Sequence, residues 1–106
     1  MVENGQPIIV DAPLRAIVVV SNPKGLHMRA AFAFAKLANR FKATVTIRKQ
    51  DRSVNGKSGV SLMTLAAVPE TELVLEVAGN DAEAALPLLK AALGAPSADG
   101  LSDLMN

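Results

Sequence analysis

Thr44-Val45-Thr46-Ile47-Arg48-Lys49-Gln50-Asp51-Arg52-Ser53-Val54-Asn55 decides the fold. Thr44 to Arg48 alternates polar and apolar residues with period two, the pattern of a half-buried strand. Gln50-Asp51-Arg52 reads as a turn and Ser53-Val54-Asn55 as a short partner strand, so the two form a hairpin. No helix separates them, and a parallel pair would need a crossover of a dozen residues or more. The sheet is therefore mostly antiparallel, with its helices on one face rather than wound around both.

Downstream of the hairpin, Gly56-Lys57 breaks the strand and Ser58 is placed to cap a second helix over residues 58–67. Leu62, Leu65 and Ala66 can face the core. Val60, Met63, Thr64 and Ala67 fall on a second, mildly apolar face. Val68-Pro69-Glu70-Thr71 is a connector to a strand at Glu72 to Ala78. A third helix then carries the stripe Ala82, Ala85, Leu86, Leu89 and Leu93, with Gly94 as its stop. Asn80 as N-cap and Glu83 three residues on suggest a capping box. Pro87 inside this helix predicts a kink or a late start.

Upstream of the hairpin, Leu14 to Val20 is a β-branched, well-buried strand. Ser21-Asn22-Pro23-Lys24-Gly25 is turn chemistry. The first helix covers residues 28–41, with Ala30, Phe34, Leu37, Ala38 and Phe41 as its core stripe. Arg29, Phe32, Lys36 and Arg40 share the opposite side. The element order is β-α-β-β-α-β-α. Residues 14–94 form one domain, preceded by an N-terminal arm at 1–13 and followed by a polar tail at 95–106. Ile8-Ile9-Val10, between Pro7 and Pro13, is assigned to the arm rather than to an added edge strand.

Composition narrows the function. The chain has 106 residues, half of them hydrophobic, a net charge of +1, three Phe and no Tyr or Trp. That balance disfavours a nucleic-acid surface, which needs basic excess and stacking aromatics. With no Cys and one His, disulfides and transition-metal sites are not expected, nor is any other cofactor. No apolar run spans a bilayer, and the first residues lack a signal-peptide pattern, so a cytoplasmic protein without membrane insertion is expected. One His and no Cys also leave few nucleophile–base pairs for a hydrolase. A monomer is expected.

The one histidine lies in Gly25-Leu26-His27-Met28-Arg29-Ala30-Ala31. At the N-cap of the first helix, His27 sits beside the unsatisfied N–H groups of Met28, Arg29 and Ala30. The helix dipole adds partial positive charge, which makes the helix start suited to phosphate. Arg29 adds a guanidinium that binds phosphate oxygens bidentately. Local chemistry by itself leaves two readings open: a phosphoryl acceptor, or a cap residue with an arginine nearby.

The same stretch resembles the Gly-Leu-His-Ala-Arg-Pro-Ala signature of the HPr family, the histidine phosphocarriers of the phosphoenolpyruvate:sugar phosphotransferase system. Val54-Asn55-Gly56-Lys57-Ser58 is similar to the segment before that family's second helix, which carries a regulatory serine. Leu65-Ala66-Ala67 and Gly79-Asn80-Asp81-Ala82 also fall where the family has similar residues. The resemblance runs from about Leu14 to Leu93. It implies an α+β open-faced β-sandwich, a four-stranded antiparallel sheet with three helices on one face. It implies a phosphocarrier rather than an enzyme: enzyme I phosphorylates Nδ1 of His27, and IIA domains of sugar permeases receive the group. Arg29 and the N–H groups of Met28, Arg29 and Ala30 would then hold the phosphate. Ser58 corresponds to the serine modified by an HPr kinase/phosphorylase.

Three departures stand out. Ala30 replaces the signature proline, which adds a backbone donor to the first turn and removes some rigidity. Met28 replaces a small residue and is expected to pack on the turn. Gly59 and Val60 stand where the family has two bulky apolar residues, which weakens the docking patch, and Gly59 weakens the helix start by up to about 1 kcal/mol relative to Ala. Ser58 thus reads equally as a plain N-cap. The candidate partner surface is Phe32 with Val60, Met63 and Thr64, unless Phe32 rolls into the core beside Phe34. Two other functions stay open: a regulatory relay within the family without sugar transport, and a βαββαβ module that binds a small metabolite without covalent modification.

Overall fold

The computed structural model describes residues 12–97. The elements are β1 (Leu14–Val19), α1 (Met28–Ala38), β2 (Thr44–Lys49), β3 (Arg52–Asn55), α2 (Gly59–Met63), β4 (Glu72–Ala78) and α3 (Ala82–Leu93). The four strands form one antiparallel sheet in the order β1-β4-β2-β3. The antiparallel sheet expected from the hairpin, and the open-faced α+β form that the resemblance implies, are the ones found. Residues 1–11 of the arm and 98–106 of the tail lie outside the described residues. No helix among the described residues is long and apolar enough to cross a membrane.

Alternation along the strands builds the core. Val18, Val45, Ile47, Leu73, Leu75 and Val77 are all buried on the helix-covered face. Phe34 and Leu37 of α1, Leu62 of α2 and Leu89 of α3 close over them. Burying a side chain of that size is worth about 1.5–3 kcal/mol relative to leaving it exposed. The opposite face carries polar partners at matched register. Arg15 lies across from Glu76 on β1 and β4, and Glu76 Oε2 takes both Arg15 Nε at 2.7 Å and Arg48 Nη2 at 2.6 Å. The Arg15 hydrogen bond, then the Arg48 charge, hold the Glu76 carboxyl below the usual range against the burial that raises it.

Several boundaries differ from the sequence reading. Helix α1 stops at Ala38, not Phe41, because its last turn tightens: Arg40 N–H bonds to Leu37 O and Phe41 N–H to Ala38 O. The Asn39 amide also donates to Ala35 O and Lys57 O, which ties the helix end to the segment before α2. Phe41 still packs against the core, and Ala31 and Ala35 belong to it as well. The hairpin turn is Gln50-Asp51 alone, with Gln50 at φ 56°. Helix α2 ends at Met63 rather than near Ala67. Its last carbonyls are taken by a tightened turn, Thr64, Leu65 and Ala66 N–H bonding to Ser61, Leu62 and Met63 O, and cations take the carbonyls just beyond: Arg52 donates to Thr64 O, and Lys49 Nζ to Leu65 O and Ala66 O. Helix α3 starts at Ala82, so Pro87 causes no late start. Pro87 and Glu83 are both exposed, so the carbonyl that loses its donor one turn back is on the solvent side.

The N-cap of α3 is Asp81, not Asn80, and Asp81 makes no side-chain cap bond to its own helix. Its carboxylate reaches across to the start of β2, accepting from Lys42 N–H and Ala43 N–H, each at 2.8 Å. Gly79, at φ 143°, lets the chain approach there: an added Cβ would lie 2.8 Å from Ala43 Cα. The Lys42 N–H, and after it the Ala43 N–H, hold the Asp81 carboxyl below its ordinary value, against a smaller opposing effect of burial. A carboxyl whose folded value lies below its unfolded one stabilises the fold above about pH 4 and ceases to as the pH falls through the folded value. Asp81→Asn is therefore expected to be less stable than wild type at pH 7, with a flatter loss of stability from pH 5 downwards. Urea unfolding midpoints across that range check this, and parallel curves for the two proteins would contradict it.

Candidate functional site

The loop between β1 and α1 is built by three constraints. Val20 continues the sheet edge beyond β1, donating to Thr71 O and accepting from Glu70 N–H. The Asn22 carbonyl then accepts from Gly25 N–H at 2.8 Å, and its side-chain Oδ1 accepts from Lys24 N–H at 2.9 Å. These close Asn22-Pro23-Lys24-Gly25 into a turn reinforced by the asparagine side chain. Gly25 sits at φ 68°, and an added Cβ would lie 2.6 Å from Ala67 O. Leu26 N–H bonds to that same carbonyl at 2.8 Å. The loop is thus pressed onto the segment that follows α2.

This places His27 at the N-cap of α1, in extended backbone conformation, as expected from the sequence. The first backbone bond of the helix is Ala31 N–H to His27 O at 2.8 Å. The N–H groups of Met28, Arg29 and Ala30 precede it and are the donors a helix start leaves without an intrahelical partner. The imidazole makes no cap bond. It is half-buried, and its Nε2 lies 3.3 Å from Asn22 Nδ2. His27 and Arg29 line one cleft with Asn22 and Lys24, and with Pro96 and Ser97 from beyond α3. The cleft therefore brings the histidine together with two cationic side chains. Ala30 is buried, so its methyl group packs inward while its N–H belongs to the first turn.

Asn22 and Lys24 were not singled out in the sequence beyond their turn chemistry. Asn22 is the buried polar residue among those described, at 7% exposure. No spacing pattern marks it, because an Asn before a Pro is ordinary turn composition.

Ser58 is the N-cap of α2, and its Oγ accepts from Ser61 N–H at 3.1 Å. Helices α1 and α2 pack side by side. Val60, Met63 and Thr64 are exposed, and Met28, expected to pack on the turn, is exposed as well. Phe32 follows neither simple alternative. It is 46% exposed, yet its ring lies directly on Gly59: a Cβ added there would fall 2.7 Å from two ring carbons. The aromatic occupies the room that a side chain at position 59 would need. The surface around α2 is thus apolar despite Gly59, through a residue on the other helix.

The family model described as the PTS HPr component phosphorylation site matches residues 14–95. The phosphocarrier protein HPr of Neisseria meningitidis is 41% identical over 76 residues, covering 72% of this chain and 85% of that protein. The HPr-like protein Crh of Bacillus subtilis is 42% identical over 67 residues, covering 63% of this chain and 79% of that protein. The crystal structure of a phosphocarrier protein HPr from Bacillus anthracis superposes with a TM-score of 0.74 at 37% identity, covering 78% of this chain and 99% of that chain. The fold and these matches define an HPr-type protein. The chain belongs to the HPr family.

The ring-on-glycine contact has a consequence for stability. Helix propensity alone says that Gly59→Ala should stabilise by up to about 1 kcal/mol. The Cβ would collide with the Phe32 ring, and overpacking costs about 1–3 kcal/mol. Gly59→Ala is expected to give no gain in the wild-type background, and a gain of about 1 kcal/mol over Phe32→Ala when the ring is absent. Chemical denaturation of the four proteins of this cycle measures it. Equal effects of Gly59→Ala in both backgrounds would show that the ring and the glycine are independent.

Proposed function

We propose that this protein is a phosphocarrier of the phosphotransferase system, accepting a phosphoryl group from phospho-enzyme I on His27 and passing it to IIA-type acceptors. The observation that carries the reading is the placement of the one histidine at the N-terminus of α1, in a cleft it shares with Arg29 and Lys24. Asn22 faces Nε2, which leaves Nδ1 as the nitrogen for the phosphoryl group. In the forward step the Nδ1 lone pair attacks phosphorus, the N–P bond forms, and the bond to the donor's nitrogen breaks with its electron pair returning to the donor. The reverse geometry delivers the group to the next acceptor.

The protein's part in this chemistry is positioning and charge stabilisation. The N–H groups of Met28, Arg29 and Ala30 and the Arg29 guanidinium are the donors for the phosphoryl oxygens. Phe32, Val60, Met63 and Thr64 form the surface on which enzyme I and the acceptors dock, with Phe32 as the aromatic anchor. The domain assignment is an HPr domain at residues 14–94 between two short terminal segments.

Ser58 is the proposed regulatory site, for a kinase of the HPr kinase/phosphorylase type. Its phosphorylation would exchange the Ser61 cap for a dianion beside the docking surface. The likeness to Crh favours a second reading, in which such regulation rather than sugar uptake is the protein's main task.

Incubation with phosphoenolpyruvate and enzyme I is expected to add the mass of one phosphoryl group in an acid-labile form, and His27→Ala should abolish it. An adduct that survives in His27→Ala would exclude His27 as the acceptor. Ala30→Pro removes one first-turn donor and is expected to shorten the phosphohistidine lifetime, measured by the decay of the loaded mass. An unchanged lifetime would assign the Ala30 N–H no part in holding the phosphate.

A further inference from the structure

We propose that Asn22 is a positioning residue that holds Nε2 of His27 as a hydrogen-bond acceptor and so shields the phosphoryl-loaded ring from protonation. The inference rests on the phosphocarrier reading of His27 and concerns how that site keeps its cargo. The orientation of the Asn22 amide is not arbitrary. A backbone N–H can only donate, so the atom facing Lys24 N–H at 2.9 Å is the oxygen. The atom 3.3 Å from His27 Nε2 is then the NH₂ group, which can only donate. Both ends of the amide are committed, and the side chain is buried, so a flip would leave two N–H groups facing each other on the Lys24 side.

This geometry requires a lone pair on Nε2. In the neutral, unloaded ring that places the proton on Nδ1. Attack comes from the tautomer with its proton on Nε2; as the Nδ1–P bond forms, that proton passes to solvent, and the lone pair left on the ring is then on Nε2, facing the Asn22 amide. The nucleophilic tautomer, with its proton on Nε2, instead meets an N–H head on. A contact that favours one state over another shifts the equilibrium between them. Asn22 therefore stabilises the loaded ring relative to the form that attacks.

The same contact protects the cargo from water. In hydrolysis, Nε2 first takes a proton. Water oxygen then bonds to phosphorus, the N–P bond breaks with its electron pair going to Nδ1, and the ring leaves as neutral imidazole with its proton on Nε2. Asn22 opposes that protonation. Lys24 from the loop and Arg29 from α1 are the charged side chains that share the cleft, and Pro96 and Ser97 bring no charge.

Asn22→Asp tests this at nearly constant shape. It keeps an oxygen for Lys24 N–H and turns the other atom from a donor into an acceptor. Nitrogen-15 NMR of the unloaded wild-type protein is expected to show the proton on Nδ1, and the Asp variant to move it to Nε2. For the loaded proteins, the pH–rate profile of phosphohistidine hydrolysis should shift to higher pH by about one unit in the variant, shortening the lifetime several-fold near neutrality. A wild-type ring with its proton on Nε2, or superimposed profiles, would overturn the role of Asn22 while leaving the carrier reading intact. A wild-type protein that takes no phosphoryl group from phospho-enzyme I would overturn the carrier reading and this role with it.

Discussion

The site depends on the close approach of Gly25 to the carbonyl of Ala67. With φ at 68° and room for no Cβ, this position accepts glycine and little else. The contact, together with the Leu26 N–H bond to the same oxygen, joins the loop before α1 to the segment after α2. It sets where α1 begins relative to its neighbour. His27, its first-turn donors and the Phe32 ring on Gly59 all take their places from that one anchor. A side chain at position 25 would move His27 and Phe32 together, because α1 carries both.

Much of this was legible in the sequence, and the reasons are specific. The hairpin Thr44 to Asn55 revealed the antiparallel sheet because strand periodicity is local and the absence of a crossover is unambiguous. His27 as N-cap was legible because a glycine turn precedes a helical stripe. What escaped notice were contacts made across distance. The residue pattern puts the cap of α3 on Asn80 and gives no role to Asp81. In the structure its carboxylate instead serves the backbone of Lys42 and Ala43. Likewise α2 was read too long, because the apolar pattern runs on to Ala67. The helix closes in a tightened turn at Thr64 to Ala66, and Lys49 and Arg52 reach over from the hairpin to the carbonyls of that turn, which no periodicity within α2 can reveal.

Phe32 and Gly59 show the same limit from the other side. Each residue looked like a departure when considered alone: an aromatic on a basic helix face, and a glycine where a bulky residue belongs. They are complementary, with the ring of one filling the space left by the other. A pair separated by more than twenty positions can be recognised only once the two helices are placed side by side. The expectation of less apolar surface there followed from counting side chains on α2 alone, whereas the Phe32 ring of α1 covers Gly59.

A carrier must hold its group firmly enough to keep it from water and loosely enough to give it up. The materials of this site suit that balance. A charge near a helix terminus is worth about 0.3–1 kcal/mol when exposed, and Arg29 is exposed. Neither term builds a deep well, so the group stays transferable. An enclosed pocket with every phosphoryl oxygen bonded would instead trap it, since charge-assisted bonds are about twice as strong as neutral ones and stronger still when desolvated. Protection then has to come from the ring rather than from the phosphate. Asn22 is placed for that: it is buried and faces Nε2 of His27.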